Sequence, residues 1–242
     1  MKNLTSIIYA IAIIGAAYIL GTSYVNRTKP QGTLSVKGLG EVNFTSDLIV
    51  WSGSFSRQSY DMQDAYAMLA RDREKIISYF AKKGISSKEI IFSAVTPITL
   101  YRDNYNEMGK YIGQEFNGYK LTQNVKITSH QVDLVEKISR EVTELINEGV
   151  NFYSDPPQYY YTKLAGLKLN LIEKATEDAK KRAEKIATNS GAQLGKLISA
   201  KMGVFQITGQ YSDEDYSWGG TFNTTSKDKT ASITVKLVYE VK

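Results

Sequence analysis

One stretch of this chain admits a single reading. From Phe116 to Thr128, the residues Tyr119, Leu121, Gln123, Val125 and Ile127 alternate with Lys120, Thr122, Asn124, Lys126 and Thr128. A period of two sustained that long puts one face on a core and the other in water, which a helix cannot do. The rest of the chain must therefore supply strands to pair with this one and elements to cover its apolar face.

The flanking segments read that way. Thr33 to Lys37 alternates and breaks at Gly38-Leu39-Gly40, and Glu41 to Ser59 offers one long strand. Ser59 can cap a helix to about Lys83, with Met62, Ala65, Leu69, Ile76 and Phe80 on one stripe and Gly84 ending it. Glu89 to Tyr101 is the next strand, with Pro97 marking a bulge or an edge. Arg102 to Glu115, polar and tyrosine-rich, reads as a hairpin loop. After the period-two strand, Thr128 or Ser129 caps a second helix that turns Val132, Val135, Val142, Leu145 and Ile146 inward, and Gly149 closes it.

Beyond Pro156-Pro157 come a short strand at Tyr159 to Thr162 and a long helix from Leu164 to Ser190. The helix carries an apolar stripe of Leu164, Leu167, Leu171, Ala175, Ala179, Ala183 and Ile186, and Gly191 ends it. Leu197 to Thr208 and Ala231 to Val241 are strands, and Gly209 to Lys229 between them reads as a mobile surface loop. The order is that of an α+β protein. It has a ferredoxin-like βαββαβ core extended by an extra N-terminal strand, a long third helix and two C-terminal strands. A dinucleotide fold is excluded, because Gly38-Leu39-Gly40 lacks a third glycine and runs into a strand.

Ahead of this body, Leu4 to Val25 carries no charge. Twenty-two helical residues rise about 33 Å, enough to cross a hydrocarbon core of about 30 Å. The expected division is residues 1–30 as a membrane anchor or signal segment and 31–242 as one α+β domain. Lys2 and the amino terminus give the positive flank of a cytoplasmic end, although Arg27 and Lys29 blur it. The rival is a cleaved signal peptide with Gly21-Thr22-Ser23 at the cleavage site. The expected location is the cell inner membrane, single-pass, with the C-terminal domain in the periplasm, or secretion if the segment is cleaved.

Composition closes several routes. The 242 residues include no cysteine and one histidine, so disulfides, thiolate metal sites, cysteine nucleophiles and multi-histidine sites are excluded. The net charge is +5, but Lys2, Arg27 and Lys29 precede residue 31 and no acid does. The remainder balances 27 basic against 25 acidic residues, a poor argument for nucleic-acid binding.

The individual candidates for chemistry each have a plainer reading. His130 falls in the first turn of the second helix, where a capping-region surface histidine outweighs a catalytic base. Asp213-Glu214-Asp215 lacks the ligand spacing of a calcium loop and reads as a solvated turn. Asp61, Asp64, Asp72 and Glu74 form the polar face of the first helix. Tyr153 with Tyr159, Tyr160 and Tyr161 could make an aromatic strip for glycans or peptides, but tyrosine is also a favoured strand residue and the core reading outweighs it. Asn3, Asn26, Asn43 and Asn223 head Asn-x-Thr triplets from which no glycosylation is inferred. No catalytic, cofactor-binding or metal residue, and no cofactor, is expected.

Four stretches, in order, resemble the bacterial SIMPL-domain family: Val36-Lys37-Gly38-Leu39-Gly40-Glu41-Val42, Gly118-Tyr119-Lys120-Leu121-Thr122-Gln123-Asn124-Val125, Ala175-Thr176-Glu177-Asp178-Ala179-Lys180-Lys181-Arg182-Ala183-Glu184, and Gly191-Ala192-Gln193-Leu194-Gly195-Lys196-Leu197. Their order and spacing cover about residues 33–242. The resemblance implies an exported or membrane-associated α+β domain that self-associates and is linked to oxidative-stress tolerance, with no established catalytic residues. The extended Tyr101–Glu115 segment and the Pro156-Pro157 insertion depart from the commoner pattern. The expected function is a membrane-anchored, non-enzymatic envelope protein that forms a homo-oligomer. The alternative is a monomeric ligand- or peptide-binding module of the periplasm or cell surface, with a hydrolase as a third class. No nucleic-acid partner is expected and no small-molecule ligand is identifiable. Extended strand edges and the alanine stripe of the third helix are the expected contacts between copies.

Overall fold

The structure, a computed structural model, describes residues 2–27 and 32–242, with side chains for all of these except 2–9 and 25–27. Residues 2–27 form the helix α1 (Lys2–Arg27). The expected anchor, 4–25, falls on α1, but only the 15 residues from Ala10 to Tyr24 have described side chains, so the anchor lies partly outside the described residues. Among the described residues no helix is long and apolar enough to cross a membrane. The boundary at residue 30 lies outside the described residues, and the side chains of Asn3 and Asn26 are not described.

The chain is α+β and divides into two units. One unit comprises Met1–Gly40, Ile172–Gly203 and Thr234–Lys242. Its sheet is ordered β1 (Gly32–Thr45), β10 (Asp228–Val241), β8 (Leu194–Met202), with β10 antiparallel to β8 and Val235 opposite Met202. The helix α4 (Leu164–Asn189) buries Ala175, Ala179, Ala183 and Ala187 here, a stripe with no side chain beyond a methyl group. That small stripe lets strand and helix approach closely. A Cβ on Gly38 would lie 2.2 Å from the Ala175 carbonyl oxygen and 2.4 Å from the Ala179 nitrogen. Leu39 N–H donates to the Asp178 carboxylate at 2.9 Å, and Arg182 pairs with the same carboxylate.

Two expectations are corrected in this unit. The strand does not break at Gly38-Leu39-Gly40; β1 runs through it, with Val36, Gly38 and Gly40 inward. The glycines are there for contact with a helix, not for a turn. The alanine stripe is covered within one copy, so it is not free to join copies. Ile186, expected on the stripe, is 48% exposed, because Ala187 holds the inward position instead.

The second unit comprises Glu41–Leu171 and Val204–Ile233. At its centre β2 (Leu48–Ser59) pairs with β5 (Tyr111–Ser129), from Ile49 opposite Ser129 to Ser59 opposite Tyr119. The far edge of β2 takes β6 (Phe152–Ser154) and β7 (Gln158–Tyr160). The far edge of β5 takes β3 (Ile90–Phe92) and β4 (Thr96–Tyr105). The order is β3-β5-β2-β6, and each of these pairs is antiparallel. In β5 the alternation is realised: Leu121, Gln123, Val125 and Ile127 are buried. Helix α2 (Met62–Lys82) lies against β2 and β5, and α3 (Val132–Glu141) against β2. Between them Trp51, Phe55, Phe80, Ile76 and Leu145 are fully buried, with the Trp51 and Phe80 rings edge to face at 5.8 Å. β9 (Gln206–Gly209) pairs with the start of β10.

The remaining departures have local causes. Glu41 to Ser59 is two strands in two sheets, and the chain changes sheets at Ser46-Asp47. Glu89 to Tyr101 is interrupted at Ser93, whose N–H and Oγ both bond the backbone of Asn124. Pro97 lies in β4, which pairs with β5 alone, so it occupies the expected edge. The segment Arg102 to Glu115 is no loop. It is a paired ribbon, with Arg102 opposite Glu115 and Asn104 opposite Gly113, turning only over 106–110. Asp61, not Ser59, caps α2, accepting from Gln63 N and Asp64 N. Met62 is 43% exposed and Ile146 57%, so both leave the cores assigned to them. Helix α3 starts after Gln131, not at Thr128 or Ser129, and passes into a 3₁₀ turn (Val142–Glu148) closed by Gly149 at φ +77°. Residues 209–229 are laced by hydrogen bonds from Gly209 N and Asn223 Nδ2 to Glu214 and from Thr221 N to Gln206.

Candidate functional site

The sheet change at Ser46-Asp47, the end of β5 and the start of α3 meet around an open cleft of about 640 Å³. Its floor is held by the backbone: Ser46 N donates to Lys227 O at 2.9 Å and Asp47 N to Tyr160 O at 3.0 Å. The Asp47 carboxylate accepts from Thr162 N and Thr162 Oγ1, both at 2.7 Å. Burial pushes the Asp47 carboxyl up, but the two Thr162 hydrogen bonds outweigh it and hold the pKa below its ordinary value. His130 Nδ1 lies 2.7 Å from Asp47 O. A carbonyl oxygen only accepts, so Nδ1 carries the hydrogen and Nε2 is left as an acceptor while the ring is neutral.

Lys227 reaches across the cleft to Asp133 and to Glu136, the latter at 3.2 Å. The bond it donates to Asp133 raises its pKa against the opposing effect of burial, with Glu136 adding to the rise. Lys163 lines the same cleft, and its ammonium has no ion-pair or hydrogen-bond partner among the described residues. Ser46 is 4% exposed, yet its Oγ has no hydrogen-bond partner. His130 is held by a backbone carbonyl instead of a carboxylate, and no base reaches the serine.

Other candidates resolve differently. His130 lies just before the helix instead of in its first turn. Tyr159 is buried in the core, Tyr161 packs at a tilt against Phe44 with ring centroids 4.8 Å apart, and Tyr153 is exposed, so the tyrosines form no common strip. Glu214 ties its own loop together, while Asp213 and Asp215 stay exposed. Among the described residues no three His, Cys, Asp or Glu side chains converge as metal ligands. Asn223 is buried, and the Asn43 amide oxygen accepts from Thr230 Oγ1.

Two buried charges were missed by sequence reasoning. Asp72, assigned to a polar face, is buried and accepts from Arg57 Nε at 2.5 Å and Nη2 at 2.8 Å. It sits on the apolar stripe between Leu69 and Ile76, a spacing visible in the sequence. Lys229 is 2% exposed and donates to Tyr159 O at 2.9 Å and Asn223 O at 2.8 Å. Running the alternation of the last strand back from Ile233 and Ala231 lands on it.

Burial drives the Lys229 ammonium down to about 8, against a smaller upward pull from Glu214. Between pH 8 and the unfolded value near 10.5, the unfolded chain binds the extra proton, so stability rises with pH. The full effect is about 3 kcal/mol by the shift. Above pH 10 the trend reverses, because burial raises the Tyr79 phenol to about 12. Denaturant unfolding at pH 7, 8, 9 and 10 is expected to show the rise in wild type and a flattened curve in Lys229→Met. A wild-type curve without a rise over that span would contradict the buried ammonium.

A second exposed feature is the ribbon of β4 and β5. Ile98, Tyr101, Tyr105, Tyr111, Ile112 and Phe116 all stand exposed along it. Beside its base, Met62, Tyr66, Val95, Pro97 and Leu121 line an apolar groove of about 530 Å³. The sheet order, the glycine-to-helix contact at Gly38 and the long α4 set the frame for comparison with known proteins. A family model described as SIMPL, protein of unknown function (DUF541), matches residues 34–239. The chain belongs to this family. No curated protein matches it. All four stretches quoted for the resemblance overlap the match. In this SIMPL chain the β4–β5 ribbon and the cleft beside α3 both lie within the matched residues.

Proposed function

We propose that this SIMPL protein is a membrane-anchored, non-enzymatic envelope protein, exported to the periplasm, that assembles with copies of itself. The observation that carries it is the ribbon. β4 is hydrogen-bonded only to β5, so the outer N–H and C=O groups of Ile98 to Tyr105 face no partner among the described residues. Natural proteins cover such edges, blunt them or pair them with another chain. Here Pro97 blunts one end only, and six large apolar side chains stand on the ribbon. Antiparallel addition of a second copy would satisfy the edge and bury the aromatics together. The core that presents the ribbon has the split βαβ order of a ferredoxin-like fold.

Anchoring is supported by the helical backbone of residues 2–27 and the absence of charge from Leu4 to Val25. An anchor also favours assembly by raising local concentration. A role in oxidative-stress tolerance rests on the family resemblance alone. The groove of Met62, Tyr66 and Pro97 favours the second reading, a monomer that binds a peptide.

Light scattering on the full-length protein in mild detergent separates the two. The expected result is a mass of several protomers, retention in carbonate-washed membranes, and a monomeric mass for Tyr101→Lys/Ile112→Asp. Both positions are exposed, so the melting temperature of the monomeric form should not fall with the substitutions. A monodisperse monomer for the wild type at micromolar concentration overturns assembly.

A further inference from the structure

We propose that one face of the β4–β5 ribbon binds an uncharged oligosaccharide, its sugar rings laid on two pairs of aromatic side chains and its hydroxyls on the carboxylate and amide between them. The register sets the face. Tyr101 lies opposite Phe116, Asp103 opposite Gln114 and Tyr105 opposite Tyr111. Residues two apart on a strand share a face, so an aromatic, a polar and an aromatic pair follow one another along it. From Tyr101 to Tyr105 the row spans about 13 Å at the usual strand rise, room for several linked sugars.

Two irregularities build this row. Continued from Thr99 opposite Tyr119, a regular ladder would put Asn117 across from Tyr101. Continued from Asn104 opposite Gly113, it would put Ile112 across from Tyr105. A register shift at each point brings Phe116 and Tyr111 there instead. Bulges of this kind re-aim side chains and are found beside functional sites. The first shift is accompanied by Gly118 at φ +100°, which residues with a Cβ rarely adopt. The ring centroids of Tyr105 and Tyr111 lie 5.9 Å apart, and that of Phe116 lies 5.2 Å from Tyr119 and 6.2 Å from Tyr60. Even so, Tyr101, Tyr105, Tyr111 and Phe116 remain 44 to 59% exposed.

The polar pair selects the occupant. Asp103 accepts from Gln114 Nε2 at 2.7 Å and has no cation partner among the described residues. Arg102 stands on the opposite face, paired with Glu115. A nucleic acid or an anionic lipid would find no cation on these three pairs. A second copy stacked face to face would bury the Asp103 carboxylate without a counter-charge, which is costly. A cationic peptide would suit Asp103 but not the remaining Gln114 N–H, which needs an acceptor that an ammonium lacks. A sugar hydroxyl both donates and accepts, and the C–H faces of a pyranose suit the negative faces of the aromatic rings. Copies joining at the β4 edge would pair through backbone groups in the plane of the sheet, so the inference does not depend on assembly.

Titration calorimetry on the full-length protein, in a detergent without a sugar headgroup, tests it. The probes are β-linked tetramers of glucose, mannose and N-acetylglucosamine, with tetra-arginine as the charged competitor. Saturable binding of at least one tetramer is expected, tighter than that of its monosaccharide and unchanged by added salt, because no ion pair forms. Tyr105→Ala and Tyr111→Ala should each weaken it about tenfold, the loss of one aromatic contact. Asp103→Asn should weaken it about as much, since a charged acceptor is lost. Tyr153→Ala removes a similarly exposed tyrosine from β6 and should bind as wild type. The proposal is overturned if no tetramer binds saturably, if tetra-arginine binds in their place, or if Tyr153→Ala loses as much affinity as Tyr105→Ala. It is also overturned if Asp103→Asn strengthens assembly while no sugar binds, which would assign the face to a second copy. Light scattering on the same samples reads assembly separately, so a monomer that binds the tetramer supports this site whatever becomes of the oligomer.

Discussion

Arg57→Ala is expected to lower stability by about 3 to 5 kcal/mol, the usual cost of leaving one member of a buried ion pair behind. The Asp72 side chain is 3% accessible, and its counter-charge is the Arg57 guanidinium, held by two N–H donors. The same guanidinium donates to the Gly149 carbonyl, so its loss also orphans the residue that closes the 3₁₀ turn. The hydrogen bonds to Asp72 raise the Arg57 pKa against the opposing effect of burial, so the guanidinium keeps its charge. Asp72→Asn should cost less, because the Arg57 side chain is 27% accessible and partly hydrated. Arg57→Met/Asp72→Leu should recover much of the loss, since a packed apolar pair needs no desolvation of charge. Thermal unfolding of the four proteins reads the outcome, with Arg57→Ala melting on the order of 10 °C lower. An Arg57→Ala melting point within a degree of wild type would refute the pairing.

That ion pair also marks where sequence reasoning reached its limit. Position was legible throughout: Asp72 falls on the stripe of Ala65, Leu69, Ile76 and Phe80, and Lys229 continues the alternation of the last strand. Residue type argued the other way, because an isolated charge is seldom buried. Only the partners reconcile the two, and Arg57, Tyr159 and Asn223 lie 15, 70 and 6 residues away. Strands whose period was long and whose faces differed, such as β5, were read correctly, as were the helix ends at Gly84 and Gly149. β6 was missed because three residues give no period. The ribbon reads as a loop in the sequence because both of its faces are exposed, so no apolar alternation marks it.

The candidate cleft was less legible still. Ser46, Asp47, His130, Lys163 and Lys227 come from four segments of the chain and carry no common spacing. His130 was noticed, but its partner is a backbone carbonyl 83 residues away, which no side-chain pattern announces. Ser46 reads as an ordinary corner residue until its burial and its missing hydrogen bond are seen together.

Gly38→Ala is expected to cost about 3 kcal/mol or more, and Gly38→Val to prevent cooperative folding of its unit, because the strand has no room to yield. An added Cβ would meet the Ala175 carbonyl oxygen at 2.2 Å, the Ala179 nitrogen at 2.4 Å and the Ala179 Cβ at 2.7 Å. Two of those atoms belong to the backbone of α4, so no side-chain rotation relieves the contact. Moving β1 away would break the 2.9 Å bond from Leu39 N to Asp178 and open a void beside four buried alanines. Nothing in the flanking sequence requires glycine for a turn, since β1 continues on both sides. The matching control is Gly166→Ala in α4, where an added Cβ meets nothing within 4 Å. There the substitution should stabilise by up to about 1 kcal/mol through helix propensity. Circular dichroism melts of the two alanine variants therefore move in opposite directions. If Gly38→Ala melts at or above wild type, the close approach of β1 to α4 is not present in solution.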